Sequence, residues 1–138
     1  MENKEINQFI MKKIIQLISL TFLLSGSFQL KAQKEYYSTQ EEVIEAAYLT
    51  LDRWIESGEL RENIEHRLER NTGETKMSGT YVLDITLRHK GEVVSVNVVE
   101  SNAAIKLQNY MKDYIKLLKF PFKMPKNKRY KFRYEFKF

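Results

Sequence analysis

The sequence predicts an α+β domain in which a three-stranded antiparallel sheet packs against helices. Three observations carry the prediction. From Tyr130 to Phe138 an aromatic residue takes every second position, with Lys131, Arg133, Glu135 and Lys137 between them. This is the period of a strand with one face in a core and the other in water. After Gly79, Tyr81, Leu83, Ile85 and Leu87 alternate with Thr80, Val82, Asp84, Thr86 and Arg88 in the same way. Between Val43 and Ile55, and again between Ala104 and Leu118, the apolar residues recur at helical intervals instead.

The front of the chain has the form of an address. Lys12 and Lys13 precede an apolar run from Ile14 to Leu24, and Lys31-Ala32-Gln33 follows small and polar residues. That order is the one found in a cleavable secretory signal, and the run falls short of the roughly twenty apolar residues of a membrane helix. Residues 1–33 are therefore set apart as a signal peptide, with Met11 an alternative start. Residues 34–138 suffice for one domain, comprising a helical segment over 34–75 and a strand-rich part over 76–138. The chain has no cysteine, so thiol catalysis and disulfide frameworks are excluded.

The first helix is expected to start at Ser38-Thr39-Gln40-Glu41, read as a capping box between Ser38 and Glu41. Its apolar stripe is Val43, Ile44, Ala47, Tyr48, Leu51, Trp54 and Ile55, and Ser57-Gly58 ends or kinks it. Tyr36 and Tyr37, just before the cap, read as a hydrophobic staple. Leu60, Ile64 and Leu68 predict a second helical piece up to Arg70, stopped by Asn71-Thr72-Gly73. Two strands follow, joined at His89-Lys90-Gly91-Glu92 with Gly91 at positive φ, and the second places Val94, Val96 and Val98 inward. Ser101 or Asn102 is expected to cap the next helix, which carries Ala104, Leu107, Met111, Tyr114, Ile115 and Leu118. Phe120-Pro121 and Met124-Pro125 stop it, because proline lacks the N–H that a helix interior needs.

The predicted order is thus helix, helical piece, strand, strand, helix, strand. A right-handed crossover lays the third strand beside the first, giving the sheet order 2-1-3. Helices then cover the face carrying Tyr81, Leu83, Val94, Val96, Phe132 and Tyr134. A strand that closes the chain is expected at a sheet edge, where its outward N–H and C=O groups can receive another strand.

Several of these residues, in this order, resemble the C-terminal domain of the TonB and TolA class of envelope proteins. They are Gly79-Thr80-Tyr81-Val82, Lys90-Gly91-Glu92-Val93-Val94, Val96-Asn97-Val98-Val99-Glu100-Ser101, Phe120-Pro121 and Tyr134-Glu135-Phe136. The resemblance covers the chain from Gly79 onward. It implies a module of the Gram-negative periplasm that binds a segment of an outer-membrane transporter, or of an envelope complex, by adding it to the last strand. Carried onto this chain, the partner-binding residues are Tyr130, Lys131, Phe132, Arg133, Tyr134, Glu135, Phe136 and Lys137. Pairing of two copies through these edges is a further option. The chain has only two prolines, not the long proline-rich reach of an energy transducer, so the resemblance implies an accessory or adaptor role.

Charge supplies the rival reading. Residues 34–75 hold five basic against eleven acidic residues, and residues 76–138 hold fourteen against five. Acidic helices docked beside a basic sheet account for this split. The alternative is a polyanion or membrane-surface binder using a basic patch of Lys123, Lys126, Lys128 and Arg129. Nucleic acid is not expected as a partner of an exported protein. The only histidines are His66 and His89, and neither has the neighbours of a metal or triad motif. Glu62, Glu65, His66 and Glu69 read as a solvated helix face, and Asp84 as a cross-strand partner of Arg133 or Lys131. No catalytic pair and no cofactor motif is found.

Overall fold

The signal sequence read over residues 1–33 lies outside the structure except for Gln33: the structure, a computed structural model, describes residues 33–138. The elements are β1 (Glu35–Tyr36), α1 (Gln40–Glu56), α2 (Glu59–Thr72), β2 (Thr80–Arg88), β3 (Glu92–Ser101), α3 (Ile105–Ile115), β4 (Phe122–Lys123) and β5 (Arg129–Lys137). A single 3-10 turn, His89–Gly91, joins β2 to β3. The main sheet runs β3-β2-β5, antiparallel throughout, which is the predicted order. No helix among the described residues is long and apolar enough to cross a membrane.

The strand β2 is central because it is apolar on one face at every second residue. Tyr81, Leu83, Ile85 and Leu87 are fully buried. Opposite it, β5 keeps an unbroken register from Thr80↔Lys137 to Arg88↔Arg129, which lays Phe132, Tyr134 and Phe136 into the same core. The register with β3 is broken twice, between Val82 and Leu83 and between Thr86 and Leu87. Each break leaves one residue of β3, Val99 or Val94, with no partner on β2. A bulge of this kind resets the alternation, so Val93 packs on the core with Val96 and Val98. Val94, expected inward, does not.

Helix α1 begins one residue later than expected. Thr39 is its N-cap: its hydroxyl accepts from the Glu42 N–H at 3.3 Å, and the Glu42 carboxylate accepts from the N–H groups of both Thr39 and Ser38. One carboxylate thereby satisfies two backbone donors, which a Ser38–Glu41 box does not provide for. The stripe it buries is Val43, Ala46, Ala47 and Leu51, with Ile44 and Trp54 half-buried. Gly58, at φ 76°, separates α1 from α2, and α2 buries Leu60, Ile64 and Leu68.

Two further expectations are corrected. Ser101 and Asn102 do not cap α3, whose N-cap is Ala104. Instead the Ser101 hydroxyl donates to the Thr80 carbonyl at 2.6 Å and Asn102 Oδ1 accepts from the Thr80 N–H at 2.7 Å, fastening the end of β3 to the start of β2. Tyr37 does not staple its own helix. It lies two residues before the cap, donates its N–H to the Lys123 carbonyl, and packs its ring edge-on against Phe122 at 5.5 Å. This extends the short parallel pairing of β1 with β4, which period-two reading does not detect in two-residue strands.

The segment from Phe120 to Met124 crosses the hairpin turn closely. Lys90 and Gly91 both have φ of 71°, and the Phe120 N–H donates to the Gly91 carbonyl at 2.8 Å. A Cβ on Gly91 would lie 2.4 Å from the Phe120 carbonyl oxygen, whereas one on Gly58 would meet nothing within 4 Å. Both glycines are left-handed, so alanine strains each by about 1–2 kcal/mol; only at Gly91 does a backbone clash add to it. Gly91→Ala is expected to lower the urea midpoint clearly more than Gly58→Ala, and equal losses would contradict the packing described.

Candidate protein-interaction edge

Two hydrogen bonds fix which way the backbone of β5 faces. The Phe138 N–H donates to the Gly79 carbonyl at 3.0 Å, on the side of β2. The Tyr48 hydroxyl donates to the Arg133 carbonyl at 2.6 Å, from the side of α1. In an antiparallel ladder alternate residues send both backbone groups to the same neighbour. The residues of even number from Tyr130 to Phe138 therefore face β2. Arg129, Lys131, Arg133, Glu135 and Lys137 turn their N–H and C=O groups outward. No strand among the described residues pairs with that side, and the Arg133 carbonyl is the one position already taken, by Tyr48.

The same parity sorts the side chains. Phe132, Tyr134 and Phe136 are buried and Tyr130 is half-buried, so these four of the expected partner-binding residues turn their side chains to the helical side of the sheet. Lys131, Arg133, Glu135 and Lys137 are exposed. The second edge is different. On β3 the two bulges interrupt the row of backbone groups, and bulged edges pair poorly.

Charge along the edge is uneven. Arg133 forks onto Asp84, directly opposite in register, with Nε–Oδ1 at 2.8 Å and Nη2–Oδ2 at 3.2 Å. Asp84 is thus the cross-strand partner expected of it, and the Arg133 guanidinium holds its carboxyl below the ordinary carboxylate range. Lys137 lies 3.5 Å from Glu135. The upstream end lacks such matching. Arg129 stands opposite Arg88, Lys126 and Lys128 lie in the turn leading into the strand, and Lys123 lies on β4; all are exposed. None of these four lysines and arginines of the expected basic patch, nor Lys131, forms an ion pair among the described residues.

Helix α1 runs alongside this edge. The Tyr48 ring sits 5.7 Å from both Phe132 and Tyr134, and the Tyr134 hydroxyl donates to Asp52 at 2.5 Å. Burial first, and that bond second, push the Tyr134 hydroxyl well above the usual tyrosine range. One turn further, Ile55 lines a cavity of about 250 Å³ at the end of β5. The contact between Tyr48 and the edge was not legible in the sequence, where Tyr48 is simply one position of an apolar stripe.

Two of the remaining polar candidates have structural partners. Glu65 accepts from the Met77 N–H at 3.1 Å and pairs with Arg61, His89 Nδ1 lies 2.9 Å from the Met124 carbonyl, and His66 is exposed on α2. No cluster of three metal-ligating side chains occurs among the described residues. No family model, curated protein or solved structure matches the chain.

Because the folded-state pKa of Asp84 is lowered, its ionised form favours the fold. That contribution is complete above the ordinary carboxylate pKa of about 3.9 and is lost as pH falls through the lowered value. Asp84→Asn is expected to lower the thermal midpoint at pH 7, with the difference from the parent narrowing steadily in acid. A difference that stays constant from pH 7 to pH 2 would show that the ion pair is not its cause.

Proposed function

We propose that this chain is a protein-interaction module of the Gram-negative periplasm that binds its partner by strand addition to the outer edge of β5. The observation that carries the reading is the contrast between the two edges. The edge strand β5 is regular over its whole length, with outward amide groups at alternate residues, while β3 is bulged twice. In strand addition the main-chain bonds supply affinity and the flanking side chains supply selectivity. The resemblance of Gly79 onward to the TonB and TolA class points to the same strand. The partner under this reading is an outer-membrane transporter or an envelope-complex component, and the role is accessory or adaptor. Export by the amino-terminal signal is part of the same proposal.

The basic patch favours a second reading, a polyanion or membrane-surface binder through Lys123, Lys126, Lys128 and Arg129, since these exposed cations form no ion pair among the described residues. The two readings separate at Lys131. Its N–H faces outward and its side chain is exposed, so proline there removes a rim donor without touching the bonds to β2. Capture of envelope proteins by the tagged full chain, with folding checked by circular dichroism, is expected to fall more than about tenfold with Lys131→Pro. The triple change Lys123→Glu, Lys126→Glu and Lys128→Glu, which leaves Lys131 in place, should do much less. The reverse ranking, with binding lost steeply as salt rises, would replace strand addition by the polyanion reading.

The Tyr48 hydroxyl competes for the Arg133 carbonyl that an added strand needs. Tyr48→Phe removes this competitor and keeps the ring, so partner binding is expected to strengthen several-fold, in line with one hydrogen bond of about 1 kcal/mol. Unchanged or weaker binding in a titration would place the partner elsewhere.

A further inference from the structure

The cavity at the downstream end of β5 lies between the α1–α2 junction and the last residues of the sheet edge. Ile55, Leu60, Phe136 and Phe138 give it apolar walls, and the Arg61 guanidinium closes one side by stacking over the Phe138 ring at 5.2 Å. Its volume is about 250 Å³, room for one bulky side chain. Ile55, Leu60 and Arg61 precede Gly79, so this helical side of the cavity is not among the features on which the family resemblance rests.

Position gives the cavity its meaning. Tyr48, Asp52 and Ile55 follow one another at helical spacing along α1. They meet the Arg133 carbonyl, the Tyr134 hydroxyl and the cavity beside Phe136 in turn. A strand laid on the rim would therefore have α1 along its inner face and the cavity at one end. In such a strand, side chains opposite Phe136 and Phe138 point inward, and those opposite Lys131, Arg133, Glu135 and Lys137 point to the open face of the sheet. On that open face Arg133 is already matched by Asp84 and Lys137 by Glu135. Lys131 is not, and its upstream neighbours Arg129, Lys128 and Lys126 are all cations.

Resting on the strand-addition reading, we infer that the partner is an extended segment carrying one bulky apolar residue for the Ile55–Phe138 cavity and one carboxylate for Lys131. The two lie on opposite faces of the added strand, five or seven residues apart. Charge complementarity selects the carboxylate, and the apolar walls select its companion. A spacing of six puts both on one face, and one of them is then misplaced.

Synthetic nine-residue peptides of alternating threonine and valine, made in both chain directions, supply the probe. One series carries Glu and Leu five or seven residues apart, a second carries them six apart, and a third has Lys for Glu. Binding to the full-length protein is measured by titration, and hydrogen exchange at Lys131 and Arg133 reports strand addition itself. The first series is expected to bind at least tenfold tighter than the other two. Ile55→Ser, at a residue 38% exposed and so tolerated by the fold, should reduce the spacing preference to near unity. Lys131→Glu should transfer the charge preference to the Lys peptides. Equal protection of the two amides by all three series would overturn the inference and leave strand addition standing. If no peptide slows their exchange, both fail together.

Discussion

The ladder between β2 and β5 is the constraint on which the rest of the molecule depends. Nine consecutive residue pairs without a register break mean that one alternation serves two strands at once. Tyr81, Leu83, Ile85 and Leu87 each stand opposite an aromatic residue of β5 on the helical side. A single slip would turn all of them to water. With fully buried apolar side chains worth roughly 1.5–3 kcal/mol each, such a slip costs more than a domain of this size has in net stability. The register is therefore fixed by the core, and the outward direction of the odd-numbered amide groups follows from it with no further requirement.

The asymmetry between the two sheet edges follows from the same ladder. On β3 the inward positions are filled by valines, whose small side chains tolerate the bends that two bulges introduce. On β5 the inward positions are large aromatics, with Tyr134 against Phe136 at 4.7 Å and Phe132 against Phe120 of the segment before β4 at 6.3 Å. A bulge here would drive a ring out of the core. The regular edge is thus a by-product of how the core is filled, and it exposes the chain to unwanted pairing. The alternating lysine, arginine and glutamate side chains, with the hydroxyl of Tyr48, blunt that edge against indiscriminate partners.

How much of this was legible in the sequence depended on the length of each pattern. Long periodic runs are readable: Tyr81 to Leu87 and Tyr130 to Phe138 lie where period puts them, and so do the centres of the helical stripes, Val43, Ala47 and Leu51 on α1 and Leu107, Met111 and Ile115 on α3, whereas Tyr48 and Ile55 are exposed and Ala104 and Leu118 fall outside α3. The alternation places Asp84 for a cross-strand pair with Arg133 or Lys131, and the register selects Arg133. Local choices between near-equivalent residues were not readable. Ser38-Thr39 offers two caps with an acidic residue three positions on, and the difference lies in which carboxylate reaches two N–H groups. Val93 and Val94 are chemically alike, so only the bulge decides which of them turns inward. Ser101 and Asn102 are good caps in isolation, but the start of β2 competes for their side chains and wins. The contacts between Tyr37 and Phe122 and between Tyr48 and Arg133 join residues 85 apart in sequence, a distance that no local pattern spans.

The helices ahead of Gly79 give the edge its individuality. A three-stranded sheet with one covering helix would present β5 as a bare rim, and backbone bonds alone discriminate poorly among extended segments. Here α1 runs beside the rim, contributes a hydroxyl that holds one carbonyl, and ends at a cavity that α2 completes. Under the strand addition proposed above, selectivity would be set by side chains on elements different from the strand that supplies the affinity. The two can vary independently, because changing Ile55 or Tyr48 leaves the β2–β5 register untouched, whereas changing Phe132 or Phe136 would not. If the proposed strand addition holds, such a surface can be retuned to a new extended partner without disturbing the core that holds it in place.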